Sequence, residues 1–300
     1  MEQTNLMNKM RQGDFRALSR VISLVENETS SSEQLLLQLD LSRAAPVIGI
    51  TGPPGAGKST LVNMLIRLIT NQGKRVGVVA IDPTSPFNYG SLLGDRIRMV
   101  EHFNNENVFI RSLATRGSLG GLSAKTIEIV DVMKAASFDY ILVETVGVGQ
   151  SEVEIVGLAD TTIVVLVPEA GDEIQTIKSG LMEIADIFVI NKADHIGADE
   201  FVRNIQKLLH QRPHSNWNVP VLKTTADKNE GIGELFARIE QHYPMTENKK
   251  KPFLMTEKAI KLIQQYRMKD INRLELLNDI TFKLNDKTFN LYRYIKQLTT

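Results

Sequence analysis

The 300-residue chain contains no cysteine. Disulfides and thiolate metal sites are thereby excluded, and with them the ligands that soft or borderline metal ions prefer. Neither sign of charge is in excess, with 35 Lys and Arg against 35 Asp and Glu. That balance gives no electrostatic footprint for nucleic acid or a membrane surface as the main partner. No apolar run approaches the ~18–20 residues needed to span a bilayer. The opening stretch MEQTNLMNKMRQGDFRALSRVISLVE mixes acids, amides and bases. It has neither the apolar stretch of a signal peptide nor the acid-poor, Arg-rich character of a transit peptide, so a cytoplasmic protein is expected. Internal repeats and low-complexity tracts are missing as well. What is present, 42% hydrophobic and 23% charged residues, suits a soluble globular protein with a substantial core.

Residues 1–44 read as a helical extension. In FRALSRVISLVE, Leu18, Val21, Ile22 and Val25 recur at i, i+3, i+4 and i+7, one face of a helix. SSEQLLLQLDL gives a second short helix with Ser31 and Glu33 near its start. From 45 to 245, apolar runs alternate with helical patterns such as GLSAKTIEIVDVMKAA. The strand candidates are 47–51, 75–81, 108–113, 140–146, 161–167, 187–192 and 219–225. Most are rich in Val and Ile and apolar nearly throughout, as strands buried on both faces of a parallel sheet are. The expected fold is α/β, a doubly wound, mostly parallel sheet. MTENKKKP (245–252) reads as a charged linker, and 246–300 as a C-terminal helical region.

The segment GPPGAGKS matches G-x-x-x-x-G-K-[ST] at Gly52, Gly57, Lys58 and Ser59, between a strand and a helix. Gly52, Pro53, Pro54, Gly55, Ala56, Gly57, Lys58, Ser59 and Thr60 are the candidate nucleotide-binding residues, and the backbone N–H groups of this loop must converge on phosphate oxygens. The glycines let the backbone approach closely and adopt positive φ. The following helix adds its N-terminal amides and positive dipole end. Lys58 supplies mobile positive charge for the β- and γ-phosphates, and Ser59 a small hydroxyl for Mg²⁺. This is a P-loop nucleotide site.

FVINKAD places Asn191, Lys192 and Asp194 at the end of a buried strand as N-K-x-D. A carboxylate there accepts hydrogen bonds from guanine N1–H and its exocyclic amine, while Lys192 and Asn191 brace the pocket. Adenine lacks both donors and would leave the carboxylate without partners. After the next strand, Thr225 and Ala226 of TTAD are candidates for backbone contact with the base oxygen. In YILVETVGVGQSE, Glu144 ends a strand and Gly147 follows three residues on, where many GTPases read D-x-x-G. The carboxylate then acts on Mg²⁺ through water, and the glycine amide meets the γ-phosphate. Val148 stands where such enzymes keep a water-orienting glutamine, and Gln150 lies two places further. Slow hydrolysis by the isolated protein is therefore expected. Asp82 at the end of the second strand and Asp95 in GDRIRM are two more carboxylates placed to serve Mg²⁺ directly or through water. A helix N-cap is an equal reading of Asp95.

GPPGAGKST, IDPTSPFNYGSLLGDRIRM, RGSLGGL, ILVETVGVGQSEVEI, PEAGDEIQTIKSG and NKAD together resemble the MeaB/ArgK/MMAA family of P-loop GTPases. The resemblance covers residues 47–194. It implies a GTPase chaperone for an adenosylcobalamin-dependent acyl-CoA mutase, usually of the methylmalonyl-CoA type. GTP would gate cofactor loading and protect or reactivate the mutase. The same resemblance implies a C-terminal dimerisation arm, hence a homodimer. It makes Asp82, Asp95 and Glu144 a metal-side acidic cluster, and AGDEIQTIKSG a switch loop in which Asp172, Gln175 and Lys178 respond to the partner. A lysine brought to the phosphates would act much as an arginine finger does. The C-terminal region is short and rich in Asn and Lys, which leaves the arm's form open. A nickel metallochaperone and a P-loop small-molecule kinase are the alternatives. The first wants a Cys/His cluster. Here only His210 and His214 of the five histidines stand at i, i+4, with Pro213 interrupting a helix between them. The second has no need of N-K-x-D.

Overall fold

The computed structural model describes the chain except residues 1, 43, 83–98, 115–123, 146–154, 169–180, 211–216, 246–249, 269, 286–288 and 300. Strands run at Val47–Thr51 (β1), Val76–Asp82 (β2), Val108–Ala114 (β3), Tyr140–Glu144 (β4), Thr161–Leu166 (β5), Ile187–Ile190 (β6) and Val221–Lys223 (β7). They form one sheet in the order β3-β2-β4-β1-β5-β6-β7, and every pairing is parallel. The expected fold is therefore found, with several strands shorter than their apolar runs. β6 stops at Ile190 and β7 at Lys223, because the backbone beyond turns into the loops that carry polar chemistry.

Helices between the strands cover both faces. They are Lys58–Asn71 (α4), Ala124–Lys134 (α5), Ala198–Leu209 (α6) and Ile232–His242 (α7), preceded in the chain by Glu2–Arg11 (α1), Phe15–Glu26 (α2) and Ser32–Leu37 (α3). The period-two alternation of the strands decides which helix each residue meets. Ile163, Val165 and Val189 join the core with Leu61, Leu65 and Ile69 of α4 and Phe236 and Ile239 of α7. Val164, Leu166, Phe188 and Ile190 point the other way, into a cluster with Phe201 and Ile205 of α6. β1, β5 and β6 are buried at every residue, which is why they read as apolar nearly throughout, with threonine as the exception.

The N-terminal helices pack against this sheet layer. Asp14 caps α2 through the amides of Arg16 and Ala17, and the stripe Ala17, Leu18, Val21, Ile22, Val25 is buried as the periodicity implies. Phe15 stacks 5.4 Å from Phe109 of β3 and 5.8 Å from Phe138, with the Arg75 guanidinium 4.7 Å above its ring. Ser31 does not cap α3. Its hydroxyl lies 3.0 Å from that of Thr29 instead.

By its internal contacts the chain divides into Met1–Lys258 and Ala259–Thr300. The expected linker at 245–252 gives way to helix at its end, since Lys250–Arg267 (α8) takes in Pro252. That proline sits in the first turn, where its missing N–H has no helical partner to lose. The second unit holds the rest of α8, then Arg273–Lys283 (α9) and Leu291–Thr299 (α10). Within it, Tyr294 is buried and donates its hydroxyl to Asp279 at 2.6 Å. Among the described residues no helix is long and apolar enough to cross a membrane.

The buried α2 stripe yields a test. Ile22 is fully buried, so Ile22→Ala should lower the unfolding free energy by about 2–4 kcal/mol. Urea denaturation of the full chain reads this directly. A loss below ~1 kcal/mol would mean that α2 is not part of the cooperative core.

Candidate functional site

A parallel sheet brings every strand's carboxyl end to one edge. β1 sits where the chain's winding reverses, between β4 and β5, the usual place for a ligand crevice. β1 runs into the loop Gly52–Gly57, and α4 begins at Lys58. Gly52 has φ 137° and Gly57 φ 83°. A Cβ on Gly52 would lie 2.0 Å from the Val165 carbonyl oxygen, and one on Gly57 2.3 Å from Asn191 Nδ2. These glycines are thus required by what lies beneath the loop as well as by what it holds. Pro53 and Ala56 are buried, while Pro54 and Gly55 form the exposed tip.

Lys58 is buried and donates from Nζ to the Gly52 and Pro53 carbonyls, 2.8 Å each. Its ammonium is held inside the curve of the loop. Ser59 Oγ donates to Glu144 Oε1 at 2.6 Å, and both residues are buried. Thr60, next on α4, is half-buried. Glu144 is located by its register opposite Ile50 of β1 and Ala80 of β2. The following residue locks it there, because Thr145 donates its amide to Ile50 O (3.0 Å) and its hydroxyl to Thr51 Oγ1 (2.9 Å). Asp82 is placed by its backbone at the end of β2, opposite Ala114.

The other half of the site centres on Asn191, which is 3% exposed. Its Nδ2 donates to Ala56 O at 2.9 Å. Its Oδ1 accepts from Thr224 Oγ1 at 3.0 Å and from the Ala226 amide at 3.2 Å. Ala56 O can only accept and the Ala226 amide only donate, so the partners fix which way the side-chain amide faces. Asn191 thereby ties the phosphate loop to the segment after β7. The Ala193 amide adds a bond to Thr224 O at 3.0 Å. Lys192 takes the left-handed conformation, φ 53°, and so turns the chain sharply toward Asp194. Asp194 is exposed and accepts from Lys228 Nζ at 2.8 Å. That ammonium holds the Asp194 carboxyl below the usual carboxylate range. Thr225 exchanges backbone bonds with Glu230, 3.2 Å each, closing the turn. Any contact from the Ala226 amide to a base oxygen would have to share the proton given to Asn191.

The structure therefore brings together Gly52, Pro53, Ala56, Gly57, Lys58, Ser59 and Glu144 on one side, and Asn191, Lys192, Asp194, Thr225 and Ala226 on the other, joined through Asn191. Asp95, Gly147, Asp172, Gln175 and Lys178 lie outside the described residues. Thr51, Thr145, Thr224 and Lys228 were not singled out from the sequence. Each acts through a partner 33 to 94 positions away, and a threonine or lysine at a strand end carries no local signature of that.

A family model described as methylmalonyl Co-A mutase-associated GTPase MeaB matches residues 18–276. A protein of Pyrococcus abyssi, provisionally named a GTPase, is 52% identical over 242 residues, 79% of this chain and 75% of that one. GTPase ArgK of Escherichia coli is 38% identical over 244 residues, 78% of this chain and 73% of its own length. The mouse protein named methylmalonic aciduria type A homolog, mitochondrial, is 39% identical over 248 residues, 75% of this chain and 59% of that one. A solved structure described as LAO/AO transport system kinase aligns over 99% of this chain and 96% of its own with TM-score 0.66. At 24% identity that likeness concerns the fold alone.

The bond from Asn191 to the loop generates a prediction. Gly57→Ala forces an L side chain into positive φ and pushes it into Asn191 Nδ2. It should cost about 2–4 kcal/mol of stability and abolish nucleotide retention. Thermal unfolding together with fluorescent GDP titration measures both. Unchanged values in the variant would show that the two halves of the site do not depend on this contact.

Proposed function

The chain belongs to the methylmalonyl-CoA mutase-associated GTPase family, and we propose that GTP binding and hydrolysis on it gate the loading of adenosylcobalamin onto an acyl-CoA mutase of the methylmalonyl-CoA type and protect or reactivate that mutase. Membership makes it a guanine-nucleotide-binding enzyme that converts GTP to GDP and phosphate. The observation that carries the finer reading is the linkage at one sheet edge. The phosphate loop, the strand-end Glu144 and the N-K-x-D segment are connected through buried hydrogen bonds. Such a site can convert the state of a phosphate into the posture of its surroundings, which is what a client-directed switch needs.

In this reading the amides of residues 52–60 and the Lys58 ammonium grip the β- and γ-phosphates, with the Gly147 amide on the γ-phosphate. Asn191, Lys192 and Asp194, with the backbone of Thr225 and Ala226, take the guanine. The donors near the γ-phosphate end fit Mg²⁺, because the Ser59 hydroxyl and Glu144 carboxylate are hard oxygens on rigid elements, 2.6 Å apart. Ser59 and Glu144 would hold the ion, with Asp82 and Asp95 as further carboxylates. When bound, it offsets charge on the phosphate oxygens. Val148 offers no side chain to align water, so hydrolysis is slow until the client brings Lys178, Asp172 and Gln175 of the 169–180 segment into play. The protein acts in the cytoplasm, without nucleic acid or membrane as partner.

A homodimer formed through the second unit completes the proposal. Leu274, Leu277, Phe282 and Leu284 there are each more than half exposed, an apolar surface of the kind that marks an interface. Nickel delivery is less well supported, since the chain has no cysteine and no group of three potential metal ligands occurs among the described residues. A small-molecule kinase would leave the guanine-reading motif without a use.

Two outcomes are expected. In calorimetric titration with Mg²⁺, GTP and GDP should bind at least ~100-fold more tightly than ATP and ADP. Addition of a cognate mutase should accelerate GTP turnover, and Lys178→Ala should blunt that acceleration. Equal affinity for both purines would remove the guanine reading. Full stimulation of the Lys178 variant would take the lysine out of catalysis. For the dimer, light scattering should show two copies, and Leu277→Glu with Phe282→Glu should give a monomer that still binds GDP.

A further inference from the structure

Five contacts join residues 191–199, the N-K-x-D segment and the start of α6, to the stretch 223–228. Three of them run through buried or backbone atoms, namely Thr224 Oγ1 and the Ala226 amide to Asn191, and the Ala193 amide to Thr224 O. The other two are lysine–carboxylate pairs at the surface. Lys223 Nζ meets Asp199 Oδ1 at 2.9 Å, and Lys228 Nζ meets Asp194 Oδ2 at 2.8 Å. Only the second reaches the carboxylate assigned to the base.

Lys228 does not reach it from a loose chain. It ends the short 3₁₀ turn Ala226–Lys228, its amide donates to Thr225 O at 2.9 Å, and Asn229 then reverses the chain at φ 59°. The turn is anchored at its start by the bond from Ala226 to Asn191 and closed by the Thr225–Glu230 backbone pair. The backbone that carries the ammonium is therefore fixed to the same buried amide that fixes the phosphate loop. The two side chains that meet are both partly exposed, Lys228 52% and Asp194 38%. An exposed carboxylate samples several rotamers, and freezing the right one would be charged against base binding.

We propose that Lys228 is a positioning residue for guanine specificity, holding Asp194 in the rotamer in which it reads the base. This rests on the guanine reading of Asp194 given above. The stereochemistry permits the ammonium to stay while the base is bound. An ionised carboxylate has about four acceptor positions on its two oxygens. Guanine N1–H and the 2-amino group occupy one on each oxygen, and Lys228 keeps the second position on Oδ2. The effect on purine choice follows. Pinned, the carboxylate faces a lone pair at adenine N1, a mismatch that a freely rotating Asp194 would escape.

The test uses the full chain with Mg²⁺ and titrates GDP and ADP into the unmodified protein, Lys228→Ala and Lys228→Arg. Lys228→Ala should weaken GDP binding about fivefold, the scale of an exposed charged pair, and tighten ADP binding by a smaller factor, with Lys228→Arg close to the unmodified protein. The decisive arm repeats the alanine substitution in Asp194→Asn with XDP as probe, since xanthine presents an acceptor where guanine presents its amine. Lys228→Ala should then have no effect, because the neutral amide has no charge for the ammonium to hold. An equal loss in both backgrounds would assign Lys228 a merely structural role and overturn the proposal, as would tighter GDP binding in Lys228→Ala. Should the unmodified protein bind GDP no better than ADP, the guanine reading itself falls, a result distinct from either.

Discussion

One buried side-chain amide joins the two ends of this nucleotide site. Asn191 donates to the phosphate loop at Ala56 and accepts from Thr224 and Ala226 on the far side of the N-K-x-D segment. Removing it would leave a carbonyl, a hydroxyl and an amide buried without those bonds, each at a cost of about 1–3 kcal/mol. The consequence is metrical. A nucleotide is a rod of fixed length between base and phosphates, and on the function proposed above Asn191 fixes the separation of the surfaces that hold its two ends. The same contact dictates Gly57, because any larger residue there would occupy the space of the Asn191 amide. Two motifs 134 positions apart, Gly57 and Asn191, are thus a single structural unit.

The sheet supplies the second constraint. Because all seven strands run parallel, the residues that end β1, β2, β4 and β6 must emerge at one edge. Register then sets depth. Glu144 is paired across from Ile50, one residue before the strand's last, so its carboxylate arises beside the start of α4 and meets Ser59. The Thr51–Thr145 hydroxyl bond holds the two strand ends together just beneath. A glutamate in place of the shorter aspartate is compatible with this depth, since the extra methylene carries the carboxylate out to the Ser59 hydroxyl.

Much of this was legible in the sequence because it depends on local rules. The sheet was readable from runs such as TTIVVL, since burial on both faces favours β-branched, mostly apolar residues at successive positions. The phosphate loop was readable because positive φ and close packing admit glycine. What escaped was long-range. Nothing near Asn191 announces that its amide serves three partners on two other loops, and nothing near Lys228 announces Asp194. The lysines at 249–251 read as linker because charge suggests solvent, yet Lys250 and Lys251 open a helix whose first turn tolerates Pro252. The ends of β6 and β7 were overextended because Asn191 and Thr224 continue the strand pattern in composition and their amides still donate to Leu166 O and Ile190 O, while the chain beyond each turns into a loop.

The division of the site into two ends also bears on how a nucleotide could switch it. GTP and GDP carry the same base, so every contact around Asp194 is made equally in both states. A contact of equal strength in two states shifts no equilibrium between them, however tight it is. On the function proposed above, the base half can therefore select the ligand and hold it, but it cannot report hydrolysis. Discrimination would then arise at the third phosphate, the end to which that function assigns Ser59 and Glu144, which are in hydrogen-bond contact with each other. An ion taking the Ser59 hydroxyl as ligand competes for the lone pairs and the proton that make this bond. On the function proposed here, Glu144 is thus released or redirected when GTP is bound and returned when phosphate leaves. On that function, nucleotide identity enters through Asp194 and nucleotide state through Glu144.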